Sequence, residues 1–312
     1  MNIILLGAAG FIGSNLTLAL ARDAENSITV VSRRRSSFDH IAAMGLPNVR
    51  FIESELTTGT DYDRLLAGQE LVYHLISTTV PTTSNIEIAR ELDANVILSA
   101  RLFESCARVG VRKVVFLSSG GTVYGKAGSC PLREDTPTDP ITSYGIQKLA
   151  IEKLLYLYHH IDGFDYRIVR LANPYGPWQR PNGILGAVTT FTYRMLAHEP
   201  IPVYGDGSVV RDFLYIDDAV RGILNIASGD AEEKLFNLGS GYGTSILQVL
   251  KTVRNVLGLE PEIRFEPARE VDVPVNYLDI SRYEASYGRL NPLPLEEGIR
   301  KTADFLIRHY NL

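Results

Sequence analysis

Short apolar runs alternate with helical stretches through the first half of the chain. Runs rich in Val, Ile and Leu, with few polar interruptions, are typical of strands that helices cover on both faces of a sheet. The predicted strands are Ile3–Leu6, Ile28–Val31, Val49–Ile52, Leu71–Leu75, Val114–Leu117 and Tyr166–Arg170, and helical stretches begin near Phe11, Tyr62, Ala89 and Tyr144. This alternation predicts an α/β fold built on a doubly wound parallel sheet.

The pattern changes after Asn173. Asn173–Pro181 and Pro200–Ser208 are rich in proline, glycine and aromatic residues, and Phe265–Pro274 is bounded by prolines. Such segments form loops and clefts more often than sheet core. We therefore predict a nucleotide-binding sheet domain over residues 1–172, to which residues of about 209–228 return, and a smaller C-terminal portion over residues 173–312 that mainly binds substrate.

Composition narrows the class of protein. The first 21 residues carry no charge, but no Lys or Arg precedes Arg22 and glycines interrupt the stretch, so it reads as strand, turn and helix rather than a signal or membrane segment. The net charge of −5 argues against nucleic acid as a partner. The two cysteines fit a reducing cytoplasm, and the histidines show no ligand spacing, so we predict no metal.

A glycine-rich turn follows the first predicted strand. Gly7, Gly10 and Gly13 have the spacing GxxGxxG, and Phe11 and Ile12 lie between the last two. In dinucleotide sites such glycines allow a tight turn, close approach of backbone to pyrophosphate, and close packing of helix on strand. The helix N-terminus then offers N–H groups to the phosphates. Residues 1–172 are therefore predicted to be a Rossmann-type domain that binds NAD(P).

The second predicted strand is followed by Ser32, Arg33, Arg34 and Arg35. NAD sites usually place a carboxylate here to hold the ribose 2′-hydroxyl, whereas guanidinium groups suit a 2′-phosphate. The arginines favour NADP over NAD, although some of them would also be expected on a solvated loop. NAD remains the alternative if the protein recycles its cofactor.

Tyr144 and Lys148 are four residues apart and share one face of a predicted helix. Ile151 and Leu155 continue that face, so it points into the protein. A lysine ammonium beside a phenol favours phenolate, and we expect it to lower the pKa of Tyr144 toward neutrality. Tyr144 is then a general base that takes a hydroxyl proton while hydride leaves the same carbon.

Together these motifs resemble the extended short-chain dehydrogenase/reductases. Within them the chain is most similar to the NAD(P)-dependent nucleotide-sugar epimerase/dehydratase group, in particular UDP-glucose 4-epimerase-like enzymes. The likeness covers essentially the whole chain and rests on Gly7, Gly10 and Gly13, the turn Ser119–Thr122, Tyr144 and Lys148, Asn173–Pro177, Val203–Gly207, Arg211–Phe213 and Tyr215–Asp218.

The resemblance implies roles for further residues. Tyr144 is the base, and Lys148 orients the nicotinamide ribose. The other cofactor contacts that it implies are Glu55, Leu56, Leu75, Ser77 and Thr79, with Asn95 supporting the site. For a nucleotide-diphosphate sugar it implies that Asn173, Arg211 and Arg269 hold the diphosphate, with Asp272 near the nucleotide ribose.

Two departures from the family pattern bear on the reaction. Many 4-epimerases have a serine at the position of Gly120, so Thr122, or else Ser119, must supply the hydroxyl that binds the sugar oxygen. Dehydratases carry an Asp-Glu pair at the position of Gly120 and Gly121, and its absence argues against dehydration. The second departure is Ser32 in place of an acidic residue, which leaves the cofactor and the reaction class open.

Three functions remain. The first is a nucleotide-sugar epimerase that inverts C4 of a UDP-hexose through a 4-keto intermediate. The second is an NADPH-dependent reductase of a nucleotide-linked 4-keto-6-deoxy sugar, and the third is a non-catalytic dinucleotide-sensing protein. The resemblance also implies a homodimer built on the helices near Glu91–Val109 and Tyr144–His160.

Overall fold

The computed structural model describes residues 1–81, 83–181, 186–269 and 272–312. In chain order the strands are β1 Asn2–Leu6, β2 Ser27–Ser32, β3 Val49–Glu53, β4 Leu71–His74, β5 Lys113–Ser119, β6 Asp165–Leu171, β7 Asn173–Tyr175, β8 Ile201–Tyr204, β9 Val210–Arg211, β10 Phe213–Tyr215, β11 Leu235–Leu238, β12 Thr244–Ser245, β13 Ile263–Glu266 and β14 Val275–Asn276. The α-helices are α1 Phe11–Leu20, α2 Asp39–Ala42, α3 Tyr62–Leu66, α4 Ile88–Leu92, α5 Leu98–Val109, α6 Ser143–Asp162, α7 Ala187–Leu196, α8 Ile216–Ser228, α9 Ile246–Leu257, α10 Ser281–Tyr287 and α11 Leu295–Tyr310. A 3₁₀ turn at Arg35–Phe38 precedes α2, and a π-helical segment at Asp93–Ile97 joins α4 to α5.

A seven-stranded parallel sheet in the order β11-β6-β5-β4-β1-β2-β3 forms the centre of the fold. The six strands predicted from the sequence are confirmed, with ends within one or two residues of the predicted ones. The strand order reverses between β1 and β4. In doubly wound sheets the crevice at this reversal, beyond the carboxyl ends of the strands, is where ligands bind.

Helices cover both faces of the sheet. On one face α1 packs against α8, and on the other α3 and α6 both pack against α5. Because successive side chains of a strand point to opposite faces, Ile4 enters the core with Leu102 and Phe116, whereas Leu5 enters the other core with Ile223. The predicted Rossmann-type doubly wound fold is confirmed.

The seventh strand, β11, was not predicted. It pairs with β6 from Leu235↔Ile168 to Leu238↔Leu171, and α8 packs on both strands. Residues 216–238 therefore add a helix and a strand to the central sheet, beyond the segment 209–228 that the sequence indicated.

Three segments predicted as loops contain short strands. β7 pairs with β10, and β8 pairs with β13, whereas β9 lies between β12 and β14. The loop prediction for Phe265–Pro274 is wrong at residues 265–266, which belong to β13, and residues 270–271 of that segment lie outside the described residues. These partners are far apart in the chain, so local sequence carries no signal for the pairing.

In the described ranges, no helix combines the length and the apolar composition needed to cross a membrane.

Candidate active site

A cavity of about 600 Å³ opens at the carboxyl ends of β1, β4 and β5 and extends to β8 and β9. Most of the predicted site residues line it: Gly7, Gly10, Phe11, Ile12, Gly13, Leu75, Ser77, Thr79, Ser119, Thr122, Tyr144, Lys148, Asn173, Arg211, Arg269 and Asp272. The fold thus brings together residues from both halves of the sequence around one space.

The glycine turn fits the pyrophosphate of a dinucleotide. Gly7 has φ +84°, a left-handed conformation that favours glycine. A Cβ on Gly13 would lie 2.4 Å from the carbonyl oxygen of Ala8, so only glycine lets α1 approach the end of β1 this closely. Gly10 occupies the N-cap position of the ten-residue helix α1 and has no side chain to accept from the first N–H groups of the helix. The first turn of α1 lines the cavity. An uncapped helix N-terminus of this kind suits an anion.

Five residues predicted to bind the cofactor lie beside the cavity rather than in its wall. Ser32 ends β2, next to the glycine turn, because the Gly7 N–H donates to the Val31 carbonyl at 3.0 Å. Arg33, Arg34 and Glu55 are exposed and Leu56 is half-buried. This group is placed at the ends of β2 and β3, where the adenosine end of a dinucleotide lies in this fold class.

The start of α6 is fixed by side chains from outside the helix as well as by its own cap. The Gly145 N–H donates to Thr142 Oγ1 at 3.2 Å, the Ser143 N–H to Asn85 Oδ1 at 2.8 Å, and the Tyr144 N–H to Ser84 Oγ at 3.1 Å. These acceptors satisfy donors that every helix N-terminus leaves free. A Cβ on Gly145 would lie 2.9 Å from the Thr122 carbonyl oxygen, so glycine allows Tyr144 to approach the Thr122 turn.

Lys148 is held close to Tyr144 but does not lower its pKa as predicted. The Lys148 Nζ donates to the Leu117 carbonyl at 2.7 Å and lies 5.6 Å from the centre of the Tyr144 ring. Burial raises the pKa of Tyr144 to about 12, and the Ser119 hydroxyl acts in the opposite direction. Burial also lowers the pKa of Lys148 to about 8. The expectation for Tyr144 is therefore wrong, because burial of the phenol disfavours its charged form and raises its pKa.

The structure accounts for the serine that is absent at Gly120. A Cβ there would lie 2.6 Å from a methyl carbon of Leu278 and 3.1 Å from the Arg170 carbonyl oxygen, so a serine would need the chain to shift. The Thr122 hydroxyl is buried at the cavity and has no hydrogen-bond partner in the described part of the chain. Ser119 and Thr122 both line the cavity, and the unpartnered Thr122 hydroxyl can still bond a ligand.

Arg211 and Asn173 are fixed by neighbouring backbone. Arg211 Nη1 donates to the carbonyls of Val210 at 2.9 Å and Val273 at 2.6 Å, and Nη2 donates to Asp272 at 3.1 Å. A guanidinium has five N–H donors, so acceptors in the described residues leave one donor on Nε and one on Nη2. Donors on these two nitrogens can bind two oxygens of a phosphate. The Asn173 amide nitrogen donates to the Asp212 carbonyl at 3.0 Å, which holds its side chain beside Arg211.

Arg269 stacks on an aromatic ring that sequence reasoning did not single out. Its guanidinium carbon lies 3.4 Å from the centre of the Tyr204 ring, and both residues line the cavity. Stacking of this kind holds a guanidinium flat while its edge stays available. With Lys148 and Arg211, Arg269 gives the described cavity wall three cations against one carboxylate, that of Asp272.

Asn95 does not line the cavity but supports a loop that does. Its side chain accepts from the Thr78 N–H at 3.0 Å and donates to Gln147 Oε1 of α6 at 2.7 Å. It lies in the π-helical segment, a departure from α-helix often found near functional sites. Asn95 thereby ties the loop after β4 to the helix that carries Tyr144.

Sequence reasoning missed a buried ion pair behind the site. Glu152, one turn after Lys148, pairs with Arg170 of β6 at 2.7 Å, and both side chains are 4% exposed. A charged residue on the inward face of α6 was the available signal, since a buried carboxylate needs a partner. Thr190 of α7 was also missed. Its hydroxyl lines the cavity without a partner in the described residues, and nothing in its local sequence marks it.

A named protein family and named enzymes are similar to this chain over most or nearly all of its length. A family model described as the NAD dependent epimerase/dehydratase family matches residues 3–239. A UDP-glucose 4-epimerase of Mycolicibacterium smegmatis is 32% identical over 309 residues, which cover 98% of each chain. A dTDP-4-dehydro-6-deoxyglucose reductase of Escherichia coli is 29% identical, in an alignment that covers 96% of each chain.

Solved structures of similar proteins have the same fold. A UDP-glucose 4-epimerase from Thermotoga maritima, determined with UDP-glucose, has a TM-score of 0.91 and 33% identity, covering 99% of this chain and 100% of that one. A UDP-glucuronic acid 4-epimerase from Bacillus cereus, in complex with UDP-glucuronic acid and NAD, has a TM-score of 0.90 and 27% identity with the same coverage.

Proposed function

The chain belongs to the NAD dependent epimerase/dehydratase family, and from this premise we propose that it is a nucleotide-sugar epimerase that inverts C4 of a UDP-hexose through a 4-keto intermediate. One observation carries the proposal. A single cavity joins the glycine turn, the pair Tyr144 and Lys148, and the fixed guanidinium of Arg211. A dinucleotide, a reacting sugar carbon and a diphosphate would each find a suitable group along it.

Arg211, Arg269 and Asn173 bind the diphosphate in this proposal. The two remaining donors of Arg211 hydrogen bond to the diphosphate oxygens, and Arg269, stacked on the Tyr204 ring, adds a positive charge. Binding energy at the nucleotide end holds the substrate while the sugar remains free to turn about the diphosphate linkage. Inversion at C4 requires this freedom, since the two faces of the sugar ring must be presented in turn to the same position in the cavity.

Tyr144 and Lys148 move and hold the proton in this proposal. Tyr144 Oη takes the proton of the sugar 4-hydroxyl and returns it to the same oxygen after the ring has turned, so the net reaction is an isomerisation. The Lys148 ammonium stabilises the phenolate, and the hydroxyl of Thr122 or Ser119 donates to O4. When bound, the nicotinamide dinucleotide supplies the hydride acceptor and donor, and a positive ring charge that favours phenolate on Tyr144.

A second candidate is the NADPH-dependent reduction of a nucleotide-linked 4-keto-6-deoxy sugar. Ser32, Arg33 and Arg34 favour a 2′-phosphate, and a reductase is among the relatives. The Glu53 carboxylate opposes this candidate. Glu53 faces Ser32 across the β2–β3 pair and accepts from the Arg35 N–H at 3.2 Å, which puts a negative charge close to the predicted phosphate position. An epimerase is expected to hold NAD, as the B. cereus structure does.

The identity of the bound dinucleotide separates these candidates. We expect protein purified without added cofactor to release near-stoichiometric NAD when it is denatured, because a recycled cofactor has no need to dissociate. Mass spectrometry of the released material makes the measurement. Recovery of NAD would also overturn the prediction of NADP from Arg33 and Arg34. No released dinucleotide, together with tight binding of added NADPH, would favour the reductase and contradict the epimerase proposal.

We further propose that two copies pair through α6. Ile146, Tyr156, Leu157 and Ile161 of this helix are exposed, as is Ile97 in the π-helical segment, and exposed apolar side chains grouped on one helix are typical of an interaction surface. Light scattering should give twice the mass of one chain, and Tyr156→Glu should give a single-chain mass. Tyr242→Glu, at an exposed tyrosine outside α6, serves as the control. A single-chain mass for the unaltered protein would contradict the pairing.

The two thiols support a cytoplasmic location. Cys106 is buried and Cys130 half-buried, and both are free. A protein folded in a reducing compartment has no need of disulfides.

A further inference from the structure

Three consecutive residues at the end of β5 contact α6. The α6 residues that they contact are spaced one helical turn apart. The Leu117 carbonyl accepts from Lys148 Nζ at 2.7 Å, and Ser118 Oγ donates to Glu152 Oε1 at 2.5 Å. The Ser119 hydroxyl lies beside Tyr144 and influences its ionisation. Tyr144, Lys148 and Glu152 therefore form one stripe on the helix. The first two of these residues are the proposed catalytic pair.

Glu152 is fixed in the interior by the guanidinium of Arg170. Arg170 Nε donates to Oε1 at 3.0 Å and Nη2 donates to Oε2 at 2.7 Å, so the pair is bidentate. Arg170 is itself fixed, because its guanidinium lies 4.8 Å from the centre of the Tyr124 ring and Nη1 donates to the Glu134 carbonyl at 3.3 Å. A buried carboxylate needs such a partner to offset the cost of removing it from water.

The charge on Lys148 depends on what surrounds it. Burial lowers the pKa of Lys148 to about 8, and Glu152 acts in the opposite direction. The groups that face Lys148 from other elements offer no second anion in the described residues. Phe116 and Tyr144 present ring faces, and His74 of β4 is neutral, because burial and Lys148 lower its pKa to about 3. Arg170 of β6 pairs with Glu152, and among the charges of the described residues it is the Glu152 carboxylate that raises the pKa of Lys148.

We propose that Glu152 is a positioning residue that keeps Lys148 protonated and fixes the stripe of α6 against β5, which rests on the proposed function of Tyr144 and Lys148. Arg170 holds the carboxylate, Ser118 sets its distance from the strand, and the carboxylate provides the negative charge that favours the ammonium one turn away. Glu152 touches neither substrate nor cofactor, and it acts through Lys148.

The test measures Lys148 directly, without turnover. Protein labelled with ¹³C at the lysine ε-carbons is titrated by NMR, and the Lys148 signal is the one lost in Lys148→Met. Replacing Glu152 by Gln should move the Lys148 midpoint to lower pH by about one pH unit, because a nearby opposite charge is lost. The range of pH over which kcat is maximal should move down with it, while the KM for UDP-glucose changes little.

Glu152→Gln alone leaves Arg170 buried without its carboxylate partner, and a second variant avoids this. Glu152→Gln combined with Arg170→Gln removes both charges, and a smaller shift in the same direction is expected because Lys148 still loses its neighbouring anion. Glu134→Gln is the matched control, since it removes another buried carboxylate, one that accepts from the Asn237 N–H at 2.9 Å, and should leave the midpoint in place. Ser118→Ala removes the hydroxyl contact but not the charge, and should also leave the midpoint in place.

An unchanged Lys148 midpoint in both the single and the double variant would show that Glu152 only supports the fold, and would overturn the proposal. The proposed function fails by a different result, namely a Tyr144→Phe protein that keeps its activity. The NMR shift is read without substrate, so the two failures are distinguishable.

Discussion

Replacing Tyr144 by Phe is expected to lower the kcat for UDP-hexose epimerisation by about 10²–10⁴-fold, the usual contribution of a positioned acid–base group. The substitution removes one hydroxyl and leaves the ring that packs beside Lys148. The KM for the nucleotide sugar should change little, because Arg211 and Asn173, which we propose bind the diphosphate, are untouched. Steady-state kinetics measured in both directions, with the thermal midpoint as a check on folding, make the test.

Tyr242→Phe is the control for this experiment. Tyr242 is 70% exposed and lies outside both the cavity wall and the proposed pairing surface, so loss of its hydroxyl should leave kcat unchanged. If Tyr144→Phe kept more than about a tenth of the activity, the proton would have another acceptor and the role proposed for Tyr144 would be wrong.

Replacing Arg211 by Met is expected to raise the KM for the UDP-sugar by about 10²–10³-fold, since truncating one partner of a buried, charged hydrogen-bond pair costs about 2–5 kcal/mol. The side chain of Arg211 is 15% exposed and pairs with Asp272, so it offers its remaining donors from a fixed position. Calorimetric titration with UDP should show the same loss of affinity, whereas the amount of dinucleotide bound to the protein should stay constant.

Two variants separate the diphosphate role from other effects of this change. Asp272→Asn weakens the support of Arg211 without removing its guanidinium, so it should raise the KM by a smaller factor. Arg254→Met removes an exposed arginine that pairs with Glu260 at 2.6 Å and should have no effect. Unaltered UDP affinity in Arg211→Met would contradict the proposed diphosphate site.

The central sheet was predictable because burial of both sheet faces leaves a strong local signal. Runs such as Val114–Leu117 are apolar at every position, and the glycine turn after β1 marks the crossover to α1. Strand β11 escaped prediction because Leu235–Leu238 is short and contains Asn237. Its strand character comes from pairing with β6, a tertiary contact that no window of sequence reports.

The site was predictable where spacing alone determines geometry. Tyr144 and Lys148 are on one face because the helix repeat puts them there. The direction of the Tyr144 pKa shift was not predictable, because it depends on how deeply the phenol is buried in the folded protein. Nor was the pairing of Glu152 with Arg170, which joins α6 to β6 through the folded interior.

The most direct test of the epimerase proposal follows the configuration at C4 of the sugar. UDP-glucose is added to the protein as purified, without dinucleotide, and ¹H NMR follows the coupling pattern at C4 over time. We expect UDP-galactose to appear slowly until the ratio of the two sugars is constant, the same ratio to be reached from UDP-galactose, and no net change in bound cofactor. No interconversion from either side, with NADPH consumed when a nucleotide-linked 4-keto-6-deoxy sugar is supplied, would contradict the epimerase proposal.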